Sequence, residues 1–178
     1  EGTIVVADQQ TGGRGRLARK WFSPENTGIW MSLIIKPNIP IYQAPQLTLL
    51  TAVAAAKAIE EQISIAPYIK WPNDLLLNNK KITGILTEMQ AEADSIHSII
   101  IGIGINVNQK KTDFPEELQE IASSLQIETG QIFAREAIIS SFLRHFENLY
   151  MVYQKEGFAV VKELWESYAI SVGRTITA

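Results

Sequence analysis

Four cations, Arg14, Arg16, Arg19 and Lys20, stand close together in the stretch GGRGRLARKW at 12–21, in a chain whose formal net charge is −3. Gly12, Gly13 and Gly15 interleave with them. Glycine lets the backbone bring its amides close to a ligand, and arginine offers a planar fork that fits phosphate or carboxylate. The segment therefore suits an anion-gripping loop, while a solvated basic surface loop accounts equally well for the cations alone. A second segment, KWPND at 70–74, sets an indole, Trp71, before two polar side chains. Asn73 and Asp74 can orient a substrate or supply oxygen to a hydrated magnesium ion, and Trp71 can wall a ring pocket. The competing reading is an Asn-Asp turn after a core tryptophan. A third, KITGIL at 81–86, places Lys81 at a strand start and Gly84 inside the strand, where glycine often marks close approach of a ligand or another backbone. Lys81 can neutralise a carboxylate there, or simply be a solvated lysine at a hairpin end. In the fourth, GIGINVN at 102–108, a third glycine is lacking and no helix follows, which excludes a dinucleotide-binding fingerprint. Gly102 and Gly104 instead suit a strand passing a flat ligand, with Asn106 offering an amide, or a plain β-bulge.

These segments need elements to hold them. Residues 3–8 form a short β-branched strand, and 9–20 are too polar and glycine-rich to bury a face, so they form a loop. A buried strand at 28–35 ends at Lys36-Pro37, and apolar residues at three- and four-residue steps predict a core helix over 43–63. Runs at 68–71, 75–77, 81–90 and 95–106 are β-rich, joined by tight connections at 78–80 and 91–94. Two further helices are predicted at 134–155 and 158–167. The order of elements implies an α+β fold with a mostly antiparallel sheet covered by helices.

Composition narrows the function. The chain has 178 residues, 46% hydrophobic and 20% charged, which fits one folded core. Its acidity argues against nucleic-acid binding through this segment, and no apolar run suits a membrane span. With no cysteine there is no thiolate nucleophile or disulfide, and a reducing compartment, the cytoplasm, is expected. His97 and His145 are too few and too separated for a zinc site or a catalytic triad, so both are read as structural or solvated.

In this order, QTGGRGRLARKW, KWPND, KITGIL and GIGINVN resemble the biotin-protein ligase family, which includes bacterial biotin-dependent repressors. SSLQIETG at 123–130 and the two helices after it are similar as well, so the resemblance covers most of the chain. It implies a fold like that of class II aminoacyl-tRNA synthetases and an enzyme that joins biotin to ATP, forming biotinyl-5'-AMP and pyrophosphate. Biotin then passes to a lysine of a biotin carboxyl carrier protein. ATP and biotin are the implied substrates, with Mg2+. By this resemblance Gln10, Arg14, Gly15, Arg16, Lys81 and Gly84 bind biotin. Arg14, Arg16, Arg19, Trp21, Asn73, Asp74 and Asn106 bind ATP or the adenylate, and Lys81, Arg14 and Arg16 carry the chemistry; no metal ligands are assigned.

The family pattern also implies a catalytic domain over 1–170 lacking its first segment, a small β-barrel domain beginning at 171–178, and homodimers formed along a sheet edge. A lipoate ligase shares the chemistry but is disfavoured by the arginine-rich loop and the missing lipoate signature. A non-catalytic biotin sensor is the alternative of a different class.

Overall fold

The computed structural model describes residues 2–92 and 95–173. One six-stranded sheet runs in the order β1-β2-β6-β5-β4-β3, with every neighbouring pair antiparallel. The strands are β1 (Thr3–Ala7), β2 (Gly28–Ile35), β3 (Tyr68–Lys70), β4 (Asp74–Leu77), β5 (Lys80–Glu92) and β6 (Ser95–Asn106). The helices are α1 (Ala44–Ile63), a short α2 (Leu125–Thr129), α3 (Arg135–Glu156) and α4 (Ala159–Tyr168). The fold is thus the expected α+β arrangement. No helix among the described residues is long and apolar enough to cross a membrane.

Strand alternation decides which face is core. Ile99, Ile101, Ile103 and Ile105 of β6 are buried, as are Met31, Leu33 and Ile35 of β2, and they meet the helix layer. Ala52 to Ala56 of α1 are fully buried, because small side chains let this helix pass between the sheet and α3. A hydrogen bond from Thr48 Oγ1 of α1 to Thr87 Oγ1 of β5, 2.8 Å long, ties the two layers at the same face. The opposite face carries Trp30 and Ser32 of β2, Gly84, Leu86 and Glu88 of β5, and Ile100, Gly102, Gly104 and Asn106 of β6, since these residues stand opposite one another in register. Among the described residues no long helix covers that face; loops do.

Local chemistry explains the connections. Asn78 and Asn79 join β4 to β5 with φ of 50° and 65°, the left-handed pair a two-residue hairpin requires and asparagine tolerates. The Ser124 hydroxyl caps α2 by accepting from Ile127 N at 3.1 Å, and Gly130 ends that helix at φ 75°. The predicted loop at 9–20 contains a single 3-10 turn, Arg16–Ala18. The β-barrel expected to begin at 171–178 lies, from 174 on, outside the described residues; 171–173 form a turn after α4.

Candidate active site

A cavity of about 900 Å³ opens on the helix-free face of the sheet. Its floor is the middle of β2, β6 and β5, and its two walls are the segment 10–22 and the segment 114–122. Gln10, Arg14, Gly15, Arg16, Arg19, Trp21, Asn73, Asp74, Lys81, Gly84 and Asn106 all line it, so residues scattered over nearly a hundred positions converge on one place.

Lys81 is fixed by its backbone on two sides. β4 and β5 slip by one residue between Leu75 and Leu76, so Leu75 pairs with Thr83 and Leu76 with Lys81, while Ile82 bulges into the core. Across from β4, Lys81 N donates to Ile121 O and its carbonyl accepts from Ser123 N, each at 2.9 Å. The side chain enters the cavity, where Nζ lies 2.7 Å from Asp74 Oδ1 in an ion pair off the hydrogen-bond line and 5.1 Å from the centre of the Trp21 ring. Any incoming carboxylate shares Lys81 with Asp74.

Trp21 lies flat on the sheet. A Cβ at Gly104 would sit 2.4 Å from its Nε1 and one at Gly84 2.6 Å from its Cζ3, so both glycines make room for the indole. The flat group beside Gly104 in this structure is the Trp21 indole. Trp30 meets Trp21 edge-on with ring centroids 6.4 Å apart, and its Nε1 donates to Pro24 O at 3.1 Å. The Trp21 indole N–H is buried without a hydrogen-bond partner.

The basic loop is latched across the cavity. Arg14 Nη2 donates to Glu88 Oε2 and Arg16 Nη1 to Asn73 Oδ1, both at 3.3 Å and both exposed. Gly15 N donates to Arg19 O at 2.7 Å and Trp21 N to Gly13 O at 2.9 Å, giving the loop a hairpin-like shape. Leu17 and Ala18 at its tip hold φ of 56° and 58°, a region that disfavours non-glycine residues. Gln10 Oε1 accepts from Ser23 Oγ at 2.8 Å. Asn73 also donates through Nδ2 to Ile85 O at 2.8 Å, which ties the turn after β3 to β5.

One sequence-level reading changes, and one site residue has internal partners. Trp71 is neither a core residue nor a pocket wall: it is 64% exposed and absent from the cavity lining. Asn106 lines the floor but is buried with both amide ends engaged internally, Nδ2 donating to Ser123 O at 2.9 Å and Oδ1 accepting from Gln109 Nε2 at 3.3 Å. It holds the segment 107–124 against β6. The histidines are as read: His97 pairs with Glu92 at an exposed hairpin, and His145 with Glu61.

The wall at 114–122 was missed by sequence reasoning, because two 3-10 turns, Lys111–Asp113 and Glu116–Leu118, have no long apolar period. Phe114 is buried there against Phe22, ring centroids 6.2 Å apart, and Leu118, Glu120, Ile121 and Ala122 face the cavity. Lys111 bonds to and attracts the Glu120 carboxylate, holding its pKa below the ordinary range. Phe114 followed by Pro115 was the available signal.

An electropositive loop, a lysine fixed beside a bulge and a glycine-lined floor meet in one cavity. The chain belongs to the biotin/lipoate A/B protein ligase family, whose model matches residues 1–106. It is 55% identical over its full 178 residues to the bifunctional ligase/repressor BirA of Bacillus subtilis, covering 55% of that protein. It is 30% identical over 177 residues to a biotin--[acetyl-CoA-carboxylase] ligase of Paracoccus denitrificans, covering 98% of this chain and 73% of the relative. Among solved structures, the biotin protein ligase from Aquifex aeolicus in complex with biotin and ATP superposes with a TM-score of 0.85 at 35% identity, covering 97% of this chain and 71% of that one. The chain spans about half the length of the first of these curated relatives.

Proposed function

We propose that this chain carries the catalytic centre of a biotin-protein ligase, acting on biotin, ATP and a biotin carboxyl carrier protein. The observation that carries the reading is the meeting of Lys81, Arg14 and Arg16 in one cavity, within a family whose solved member binds biotin and ATP. The biotin carboxylate attacks the α-phosphate of ATP; an O–P bond forms and pyrophosphate leaves. Carboxylate and phosphate repel, so cations must gather them before they react. Lys81 would receive the carboxylate, exchanging part of its pairing with Asp74. Arg14 and Arg16 would leave Glu88 and Asn73 for the phosphate, closing the loop over a mixed anhydride that water would otherwise hydrolyse. The ε-amine of the carrier lysine then attacks the carbonyl carbon, an amide forms, and AMP departs.

Mg2+ enters with ATP as part of the substrate. Among the described residues no group of three His, Cys, Asp or Glu is gathered to hold a metal, so phosphate oxygens and water would provide most of its ligands, with Asn73 and Asp74 the nearby protein oxygens. The edge of β5 beyond Ile85, past the pairing with β4 and Asn73, suits a sheet-edge homodimer, and the cytoplasm suits a cysteine-free enzyme using ATP. The domain division at 170 is part of the same proposal.

The test is incubation of the protein with biotin, ATP, Mg2+ and a carrier domain, reading attached biotin, with lipoate as control. Covalent biotin on the carrier and none with lipoate is expected. Binding of biotin without transfer would favour a sensor.

A further inference from the structure

Both walls of the cavity are tied at their feet to one polar node outside it. The first wall is an excursion from β1 to β2: Asn26 N donates to Asp8 O at 3.0 Å and Gln10 N to Ser23 O at 3.2 Å, so its two limbs run together toward the basic tip. The second wall begins after β6, where Asn108 N donates to Thr27 O at 2.7 Å. Asn108 also exchanges two bonds with Phe133, Nδ2 donating to its carbonyl at 2.9 Å and Oδ1 accepting from its N–H at 3.0 Å. Arg135 completes the node. Its Nη1 donates to Gly28 O at 3.1 Å, and its Nη2 lies 3.7 Å from Asp8 Oδ1. One guanidinium thus spans both feet of the excursion, the residue after β1 and the first residue of β2. Neither Arg135 nor Asp8 nor Gly28 lines the cavity.

Helix preference does not account for this arginine. Arg135 opens α3, where the positive end of the helix dipole favours an anion over a cation, and Ala134 before it provides no side-chain cap. The side chain reaches instead to a carbonyl 107 residues earlier in the chain. A residue that opposes its own helix and serves a distant contact marks a tertiary role. The bond to Gly28 does most of the fastening, because Asp8 is 78% exposed and its carboxylate stands beyond hydrogen-bond distance.

We propose that Arg135 is a positioning residue for the reaction: by fastening the two feet of the 8–27 excursion it sets the orientation in which Arg14 and Arg16 close over the adenylate. This rests on the ligase reading. Without the fastening the sheet and the loop cations remain, but the loop must be ordered from a wider set of conformations as it closes. Water then reaches the mixed anhydride more often. Its oxygen attacks the carbonyl carbon, the bond from that carbon to the phosphate oxygen breaks, and biotin and AMP are returned without transfer.

The experiment compares the full-length protein with Arg135→Gln and Arg135→Lys. It reads pyrophosphate released per biotin attached to a carrier domain, and tryptic cleavage within 14–20 relative to cleavage at Lys162, with biotin and ATP present, alongside thermal melts. For Arg135→Gln the ratio of pyrophosphate to attached biotin should rise by roughly tenfold, about what one lost hydrogen bond from a charged group allows. Loop cleavage should quicken in step. A lysine keeps a charged donor but lacks the fork that spans both feet, so Arg135→Lys should raise the ratio by only about twofold to fourfold, the scale of an exposed pair. An unchanged ratio in Arg135→Gln would overturn the proposal even if both rates fell together, since a parallel fall is what a merely structural arginine gives. Equal ratios for Arg135→Gln and Arg135→Lys would overturn it too. Should Arg135→Gln fail to fold, Arg135→Lys decides, and a parental ratio there would be the refutation. Failure of the unaltered protein to release pyrophosphate from biotin and ATP would instead bring down the ligase reading, and this proposal with it.

Discussion

Gly104→Ala tests the stacking at the centre of the site. The new methyl carbon would lie 2.4 Å from Trp21 Nε1, 2.5 Å from Cε2 and 2.7 Å from Cζ2. Carbon atoms in good contact stand about 3.5–4.0 Å apart, so the indole must lift by about 1 Å or more. Overpacking of this kind costs about 1–3 kcal/mol. Lifting the ring also weakens its edge contact with Trp30 and its attraction for Lys81, each worth about 0.5–1.5 kcal/mol at most exposures. A loss of about 1–3 kcal/mol should lower the melting temperature by roughly 2–12 °C, at roughly 2–4 °C per kcal/mol for a domain of this size. Removing the obstacle reverses the sign of the argument: in a Trp21→Ala background the alanine at 104 should be neutral or mildly stabilising. Urea unfolding of the parent, the two single variants and the double variant yields the coupling, expected to be at least about 1 kcal/mol. The same cost for Gly104→Ala in both backgrounds would refute the stacked arrangement.

Three other outcomes are expected. Lys81→Ala should lower pyrophosphate release from biotin and ATP by roughly 10²–10³-fold, the usual loss on removing one charge-stabilising group, while stability falls by no more than about 1 kcal/mol because the pair with Asp74 is partly exposed; undiminished release at saturating substrates would remove Lys81 from the mechanism. Trypsin should cut at Arg14, Arg16, Arg19 or Lys20 faster without ligand than with biotin and ATP, since the side-chain contacts that latch the loop across the cavity, to Glu88 and Asn73, are exposed; equal rates would exclude ligand-driven closure. Glu61 of α1 has its pKa lowered to about 2 by bonds from Ser141, then Arg144 and His145 of α3. Its folded pKa is below the unfolded value of 4.5, so its contribution is complete above about pH 4.5 and lost as pH falls toward 2; Glu61→Gln should flatten acid unfolding in that window, and an unchanged profile would show the cluster to be inert.

Much of the site was legible before any fold was known, because its parts are local. Gly12 to Lys20 had to be an irregular cationic loop whatever surrounded it, and Lys81 with Gly84 had to open a strand. Trp71 was ambiguous for the opposite reason: burial depends on what the chain brings alongside, and nothing covers the end of β3. Gly84, Gly102 and Gly104 look alike in sequence, yet two serve the Trp21 ring and one faces open space. The wall at 114–122 had no period to detect, since its conformation comes from backbone pairing with Lys81 and from Asn106.

The sequence by itself determined the strands and long helices and the residue types that can gather anions. Those follow from side-chain periodicity and from backbone preferences of single residues, which act over a few positions. Tertiary structure alone decided that Lys81 pairs with Asp74, that Trp21 rests on two glycines of neighbouring strands, and that Asn106 bonds to the Ser123 carbonyl. These are register and packing facts, fixed by a one-residue slip between β4 and β5 and by which loops reach the helix-free face, and which partner each residue meets there leaves no local trace in the chain.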